Sequence, residues 1–180
     1  PDGTRIISGS RDKTVKVWNA QTGLLMATLD RHSGPVWSVS FSPDGKRIVS
    51  GSFDNTLKVW DTEAAQETLT LQGHSEAVRS VSFSPDGKRI VSGSWDKTVK
   101  VWAPQTGQEW PTLMQQSVPV CDVKFSSDGT RIANAGSRII ENVGDREPAR
   151  VAVRTPTTTH PSLDLECRVY GTDGAPRAPR

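Results

Sequence analysis

The sequence is short of the residue patterns that most site chemistry requires. It has two cysteines, and Cys121 and Cys167 stand in unrelated contexts without a framework of paired spacings. That argues against a disulfide scaffold and points to a soluble, reducing compartment, cytoplasmic or nuclear. Its three histidines, His32, His74 and His160, lack the close cysteine, histidine or carboxylate neighbours of a metal site. No metal and no cofactor is therefore expected. The net charge of +2 is too small a field to attract nucleic acid or an anionic membrane. No apolar run approaches the roughly 18 residues of a membrane span; the richest, around Leu24, Leu25 and Met26, is far shorter. An apolar leader, a glycine-rich phosphate loop and the graded ligand series of a calcium loop are also missing. Pro1 stands first in place of a start methionine, so a piece of a longer chain is expected.

What the sequence does have is repetition. Pro-Asp-Gly begins at Pro1, Pro43 and Pro85, with a variant at Ser127-Asp128-Gly129, in steps of 42. Trp18, Trp60 and Trp102 keep that step, as do Asp12, Asp54 and Asp96, and His32 and His74. Residues 39–52 and 81–94 are identical. A fixed period of this length signals a solenoid or propeller. Within each period, Val and Ile alternate with polar residues, which suits half-buried strands, and Pro-Asp-Gly suits a tight turn.

The second unit parses into strands near 36–41, 47–50, 56–60 and 67–71. The third repeats this from Val78, with its last strand expected at 109–113. Residues 4–29 supply the last three strands of an earlier unit, and 118–135 the first two of a later one. The total is about three and a half four-stranded units. Val39, Phe41, Ile48, Val49, Leu57 and Val59, and their counterparts Val81, Phe83, Ile90, Val91, Val99 and Val101, are the expected core. Val36 to Val39, Val78 to Val81 and Val120 to Val123 are odd steps for a strand. They predict a bulge that turns Trp37, Arg79 and Cys121 toward the mouth of the first strand. Lys46-Arg47 and Lys88-Arg89 follow turns and read as solvated strand edges.

Gly73-His74, followed after 27 intervening residues by Trp102, together with Trp60-Asp61, resembles the WD-repeat family. The resemblance runs over residues 1 to about 135. It implies an all-β fold, a partial β-propeller with four strands in each blade. The implied layout is 1–136 in blades (1–30 partial, 31–72, 73–114, 115–136 partial), then an irregular tail over 137–180. It also implies a hydrogen-bonded chain of His32, Ser50, Asp54 and Trp60 in one blade and of His74, Ser92, Asp96 and Trp102 in the next. The alternative reading of serine, histidine and aspartate as a hydrolase triad fails. No nucleophile elbow surrounds either serine, and the grouping recurs in successive blades. No catalytic residue is expected.

Positions that vary between copies point to binding. Arg11, Phe53 and Trp95 precede the repeated aspartates, and Trp37, Arg79 and Cys121 occupy the bulge. In the family both positions lie on the rim of the propeller's top face. Arg11, Trp37, Phe53, Arg79 and Trp95 are thus candidates for a partner-binding surface, since aromatic and arginine side chains are common anchors.

The fourth unit decays. Gln116 replaces histidine, Asn134 serine, Arg138 aspartate and Gly144 tryptophan, and beyond Ser137 no third strand is expected. Every lysine lies at or before Lys124. Residues 137–180 are rich in arginine, proline and threonine and are expected to be disordered, with only 150–154 and 166–170 suited to short strands. A reading-frame or splice error would give the same break. An open arc of blades is expected to be marginally stable and to offer strand edges for self-association.

The leading functional expectation is a non-catalytic protein–protein interaction scaffold. Other proteins are its expected partners; membrane and nucleic acid are not. The alternatives are the sensor region of a NACHT-type nucleotide-switch ATPase, an adaptor in transcription, RNA processing or ubiquitin ligation, and a non-functional gene fragment.

Overall fold

Alternating apolar residues and turns at a fixed period produce four antiparallel meanders. The computed structural model describes residues 1–135, 139–141 and 152–154. Among these, the first sheet holds β1 (Arg5–Gly9), β2 (Val15–Asn19) and β3 (Leu25–Leu29). The second holds β4 (Val36–Phe41), β5 (Arg47–Ser52), β6 (Leu57–Asp61) and β7 (Gln66–Leu71). The third holds β8 (Val78–Phe83), β9 (Ile90–Ser94), β10 (Thr98–Trp102) and β11 (Met114–Gln115). The fourth holds β12 (Asp122–Phe125), β13 (Arg131–Ala135), β14 (Ile139–Glu141) and β15 (Ala152–Arg154). Each strand pairs with its sequence neighbour, as short connections dictate.

Two expectations need correction. The fourth sheet has a third strand after all: β14 pairs with β13 through Ile132 opposite Ile140, and β15 pairs with β14. Ile139 and Ile140 are β-branched and suit a strand, although the surrounding sequence lacks the repeat's signature. Apart from these two short strands, the expected tail, including 166–170, lies outside the described residues. The last strand of the third sheet also differs, since 109–113 is not a continuous strand. It consists of a single bridge from Glu109 to Trp102, followed by β11 at 114–115. Pro111 lacks an N–H and interrupts the ladder there.

The turns explain the repeated tripeptide. Pro43 and Asp44 fill the middle of a turn closed by a bond from Gly45 N–H to the Ser42 carbonyl at 2.9 Å, and Gly45 takes the left-handed φ of 68°. A type I turn followed by a left-handed residue is a standard three-residue hairpin loop. Asp44 accepts from the Ser42 hydroxyl at 2.5 Å and from Lys46 N–H at 3.0 Å, which fixes the loop from within.

The core lies between sheets. Ile48 and Val49 are adjacent on β5 and therefore face opposite ways. Ile48 and Trp60 pack on Val15, Val17 and Leu29 of the preceding sheet. Val49, Leu57, Val59 and Leu71 pack on Val78, Val81, Ile90 and Trp102 of the following one. Val91, Val99 and Val101 meet Val120, Val123 and Ile132 in the same way. Among the described residues each core cluster joins two sheets, so stability lives in the neighbour interfaces.

Glycine at 51 follows from that packing. A Cβ there would stand 2.7 Å from Val78 Cγ1 and 2.9 Å from Val81 Cγ1, both on stiff β-branched side chains of the next sheet. Gly51→Ala is expected to destabilise the chain by about 1–3 kcal/mol through overpacking. A lower urea midpoint with an unchanged slope would register this.

Arg47 and Arg89 correct the reading of solvated strand edges. Arg47 donates from Nη2 to the Gly87 carbonyl at 3.2 Å and stacks 5.7 Å from the centre of the Phe83 ring. Arg89 donates to the Gly129 carbonyl at 3.1 Å and stacks over Phe125 at 5.4 Å. Arg5 does the same to Gly45 and Phe41. Each arginine ties its own blade to the turn of the next.

Candidate functional site

Two polar constellations recur at the same end of the strands, and they differ in what they do. The first is internal. His32 pairs through Nδ1 with Asp54 Oδ2 at 2.8 Å and through Nε2 with Ser50 Oγ at 2.7 Å, and the Trp60 indole N–H donates to Ser50 Oγ at 2.8 Å. His74, Asp96, Ser92 and Trp102 repeat this at 2.7, 2.7 and 2.8 Å. The tautomer with hydrogen on Nδ1 satisfies every member: Nδ1 donates to the carboxylate, the serine hydroxyl donates to Nε2, and the indole donates to the serine oxygen. The carboxylate also fixes the turn after it, because Asp54 accepts from Thr56 N–H at 3.0 Å and from Ser33 N–H at 2.9 Å.

These distances match those within a hydrolase triad, yet access differs. Ser50 and Ser92 are fully buried, and both histidine side chains are sealed from solvent. An oxygen already accepting from an indole inside the sheet cannot meet a substrate. Burial would raise the Asp54 carboxyl, but the hydrogen bonds from His32 and Thr56 outweigh it and hold the group well below the usual carboxylate range. Asp96 is held low by the same balance, with His74 and Thr98 as donors. These residues act as structural clamps.

The fourth unit shows what happens without the set. Gln116 Nε2 and both polar atoms of the Asn134 side chain are buried without a hydrogen-bond partner among the described residues. The replacements of histidine and serine occupy the space and leave the chain of bonds unmade. In the first sheet, Trp18 N–H still reaches Ser8 Oγ at 3.0 Å.

The second constellation faces outward. The pairing of β4 with β5 shifts register between Val36 and Ser38, and that of β8 with β9 between Val78 and Ser80. The bulges therefore fall on Trp37 and Arg79. At Cys121 the partner that would define such a shift, residue 136, lies outside the described residues. Cys121 is disulfide-bonded rather than a free thiol. Phe53 and Trp95 follow β5 and β9 directly, pinned by their own N–H groups on the carbonyls of Pro35 at 2.8 Å and Ala77 at 3.0 Å.

Four of the five candidate binding residues come together. Trp37 stacks on Phe53 with ring centres 6.5 Å apart, and Trp95 stands 6.0 Å from Trp37 and 5.9 Å from Phe53. The Arg79 guanidinium lies 3.8 Å from the centre of the Trp37 ring and 5.5 Å from that of Trp95. Trp37 is 44% exposed and Phe53 48%, and neither belongs to an intersheet core. Arg11 is exposed and makes none of these ring contacts. The sequence singles out these positions by their variation; that residues of two blades would stack is visible only in the fold. Among the described residues, no group of three or more side chains could hold a metal ion.

Comparison with known proteins agrees with this architecture. The family model described as IFT122 first beta-propeller matches residues 1–149. A WD repeat-containing protein of Dictyostelium discoideum is 45% identical over 42 residues, 23% of this chain and 7% of that protein. The periodic tryptophan protein 2 homolog of the same organism is 44% identical over 43 residues, 24% of this chain and 5% of its own. F-box/WD repeat-containing protein 7 of Drosophila melanogaster is 56% identical over 36 residues, 20% of this chain and 3% of that one. Each match spans about one repeat, and the chain covers only a small part of these relatives' length.

Proposed function

The chain belongs to the IFT122 first beta-propeller family, a family of WD-repeat β-propellers, and from that premise we propose that it is a non-catalytic scaffold holding partner proteins on one rim. The observation that carries this reading is the cluster of Trp37, Phe53, Arg79 and Trp95. Three aromatic rings and a guanidinium from two blades gather outside the intersheet cores, with two of the rings about half exposed. Exposed aromatic groups next to arginine are the composition of interaction hot spots.

The test is the affinity of captured partners for the full chain and for the double variant Trp37→Ala, Phe53→Ala. Each partner is identified by mass spectrometry, purified and titrated. Loss of a hot spot corresponds to at least about 30-fold weaker binding, with far-ultraviolet circular dichroism unchanged. Unchanged affinity for every partner would refute the rim reading.

A further inference from the structure

The arginines of this fold fall into two kinds. Arg5, Arg47 and Arg89 each give a hydrogen bond to the carbonyl of a glycine in the next blade. Arg79 has no such acceptor. Among the described residues its Nε and Nη1 are buried without a partner, and so is the indole nitrogen of Trp95 beside it. Burial lowers the Arg79 pKa, and among the described residues no neighbouring carboxylate counters it. A cation taken from water is normally paired, and the faces of Trp37 and Trp95 replace only part of that loss. The side chain is nevertheless only partly buried, so it can be reached from the rim. The fold already holds its bulge through the register shift at Val78 and Ser80, which explains the position of Arg79 but not its charge.

We infer that this cluster recognises an acidic peptide: a glutamate or aspartate of a partner protein pairs with Arg79 while an adjoining apolar residue covers Trp37 and Phe53. The inference rests on the rim reading above and adds the chemistry of the ligand. The charge complementarity is specific, because a carboxylate is the strongest side-chain acceptor for a guanidinium that two indoles already orient. Trp95 N–H is a further donor next to the same place.

The probes are three pools of capped heptapeptides, identical except that the central residue is glutamate, glutamine or phosphoserine, titrated into the full chain labelled with nitrogen-15. The glutamate pool is expected to bind at least about tenfold more tightly than the glutamine pool. The side-chain N–H signals of Arg79 and Trp95 should move with it, a readout that needs no variant. Arg79→Met should abolish the difference between the two pools. Equal binding, no binding up to about 1 mM, or binding of the phosphoserine pool alone overturns the inference. If the pools do not discriminate while Trp37→Ala still loses the captured partners, the acidic-peptide inference fails and the rim reading stands. If the captured partners are unaffected by Trp37→Ala and Phe53→Ala, the rim reading itself fails.

Discussion

Trp102→Ala is expected to destabilise the chain by about 3–5 kcal/mol, the upper range for removing a buried aromatic side chain. Trp102 is 1% exposed and lies in the interface between the second and third sheets. Burying its ring withdraws about 150–250 Å² from water, worth roughly 4–6 kcal/mol gross at about 25 cal/mol/Å². Its loss also strips the donor at 2.8 Å from Ser92 Oγ and the ring packed 6.0 Å from His74. Because each interface is shared, the damage should reach both sheets. Urea denaturation followed by circular dichroism measures it. Trp18→Ala is the control: Trp18 is only partly buried and has a single polar partner, Ser8, so its removal should cost less than half as much.

The second large effect is expected at Asp96. Its carboxylate accepts from His74 Nδ1 at 2.7 Å, Ser75 N–H at 3.0 Å, Thr98 N–H at 2.9 Å and the Thr98 hydroxyl at 2.6 Å. Asp96→Ala takes away the acceptor 2.7 Å from the sealed imidazole and leaves Nδ1 only the Thr98 hydroxyl at 3.2 Å, at a cost of about 2–3 kcal/mol. Asp96→Asn keeps one acceptor oxygen and should lose about half of that. The pH dependence has a definite sign. Burial raises this carboxyl, but the bonds from His74 and Thr98 depress it further, so its folded pKa lies below the unfolded value. Such a group stabilises fully above the unfolded carboxylate pKa and loses its contribution as pH falls toward the folded one. The gap between wild type and Asp96→Ala should thus be constant above about pH 5 and shrink below about pH 4. A gap that widened on acidification would contradict the sign.

Recurrence at one period marked the members of the internal clamp as fold residues rather than a site, and the family resemblance implied that they bond to one another. Recurrence made the sheets legible too, down to the bulges at Trp37 and Arg79 marked by the odd valine steps. Arg47 and Arg89 were misread because an arginine after a turn looks solvated when a unit is considered alone. Their signal lay across units, in the step of 42 shared with Phe41, Phe83 and Phe125. The ion pair between Lys58 and Glu67, at 2.9 Å and supported by Thr70, and its counterpart between Lys100 and Glu109, were hidden in the same way. In sequence these are charges on strands; in the fold Lys58 and Lys100 are buried and paired across β6 to β7 and across β10 to Glu109. The third strand of the fourth sheet was missed because Ile139 to Glu141 carries none of the repeated polar residues. The rim cluster was only half legible. Variation named its members, but contacts between residues 42 apart depend on how neighbouring blades are set against one another.

On the proposed reading, the repeated residues hold the blades while the unrepeated ones at the rim meet the partner. Hydrogen–deuterium exchange of the full chain, with and without a captured partner, tests it most directly. New protection is expected over 35–38, 53–56, 77–80 and 95–98, the bulges and turns that carry Trp37, Phe53, Arg79 and Trp95. Protection confined to the Pro-Asp-Gly turns at 43–46 and 85–88, at the other end of the strands, would contradict it.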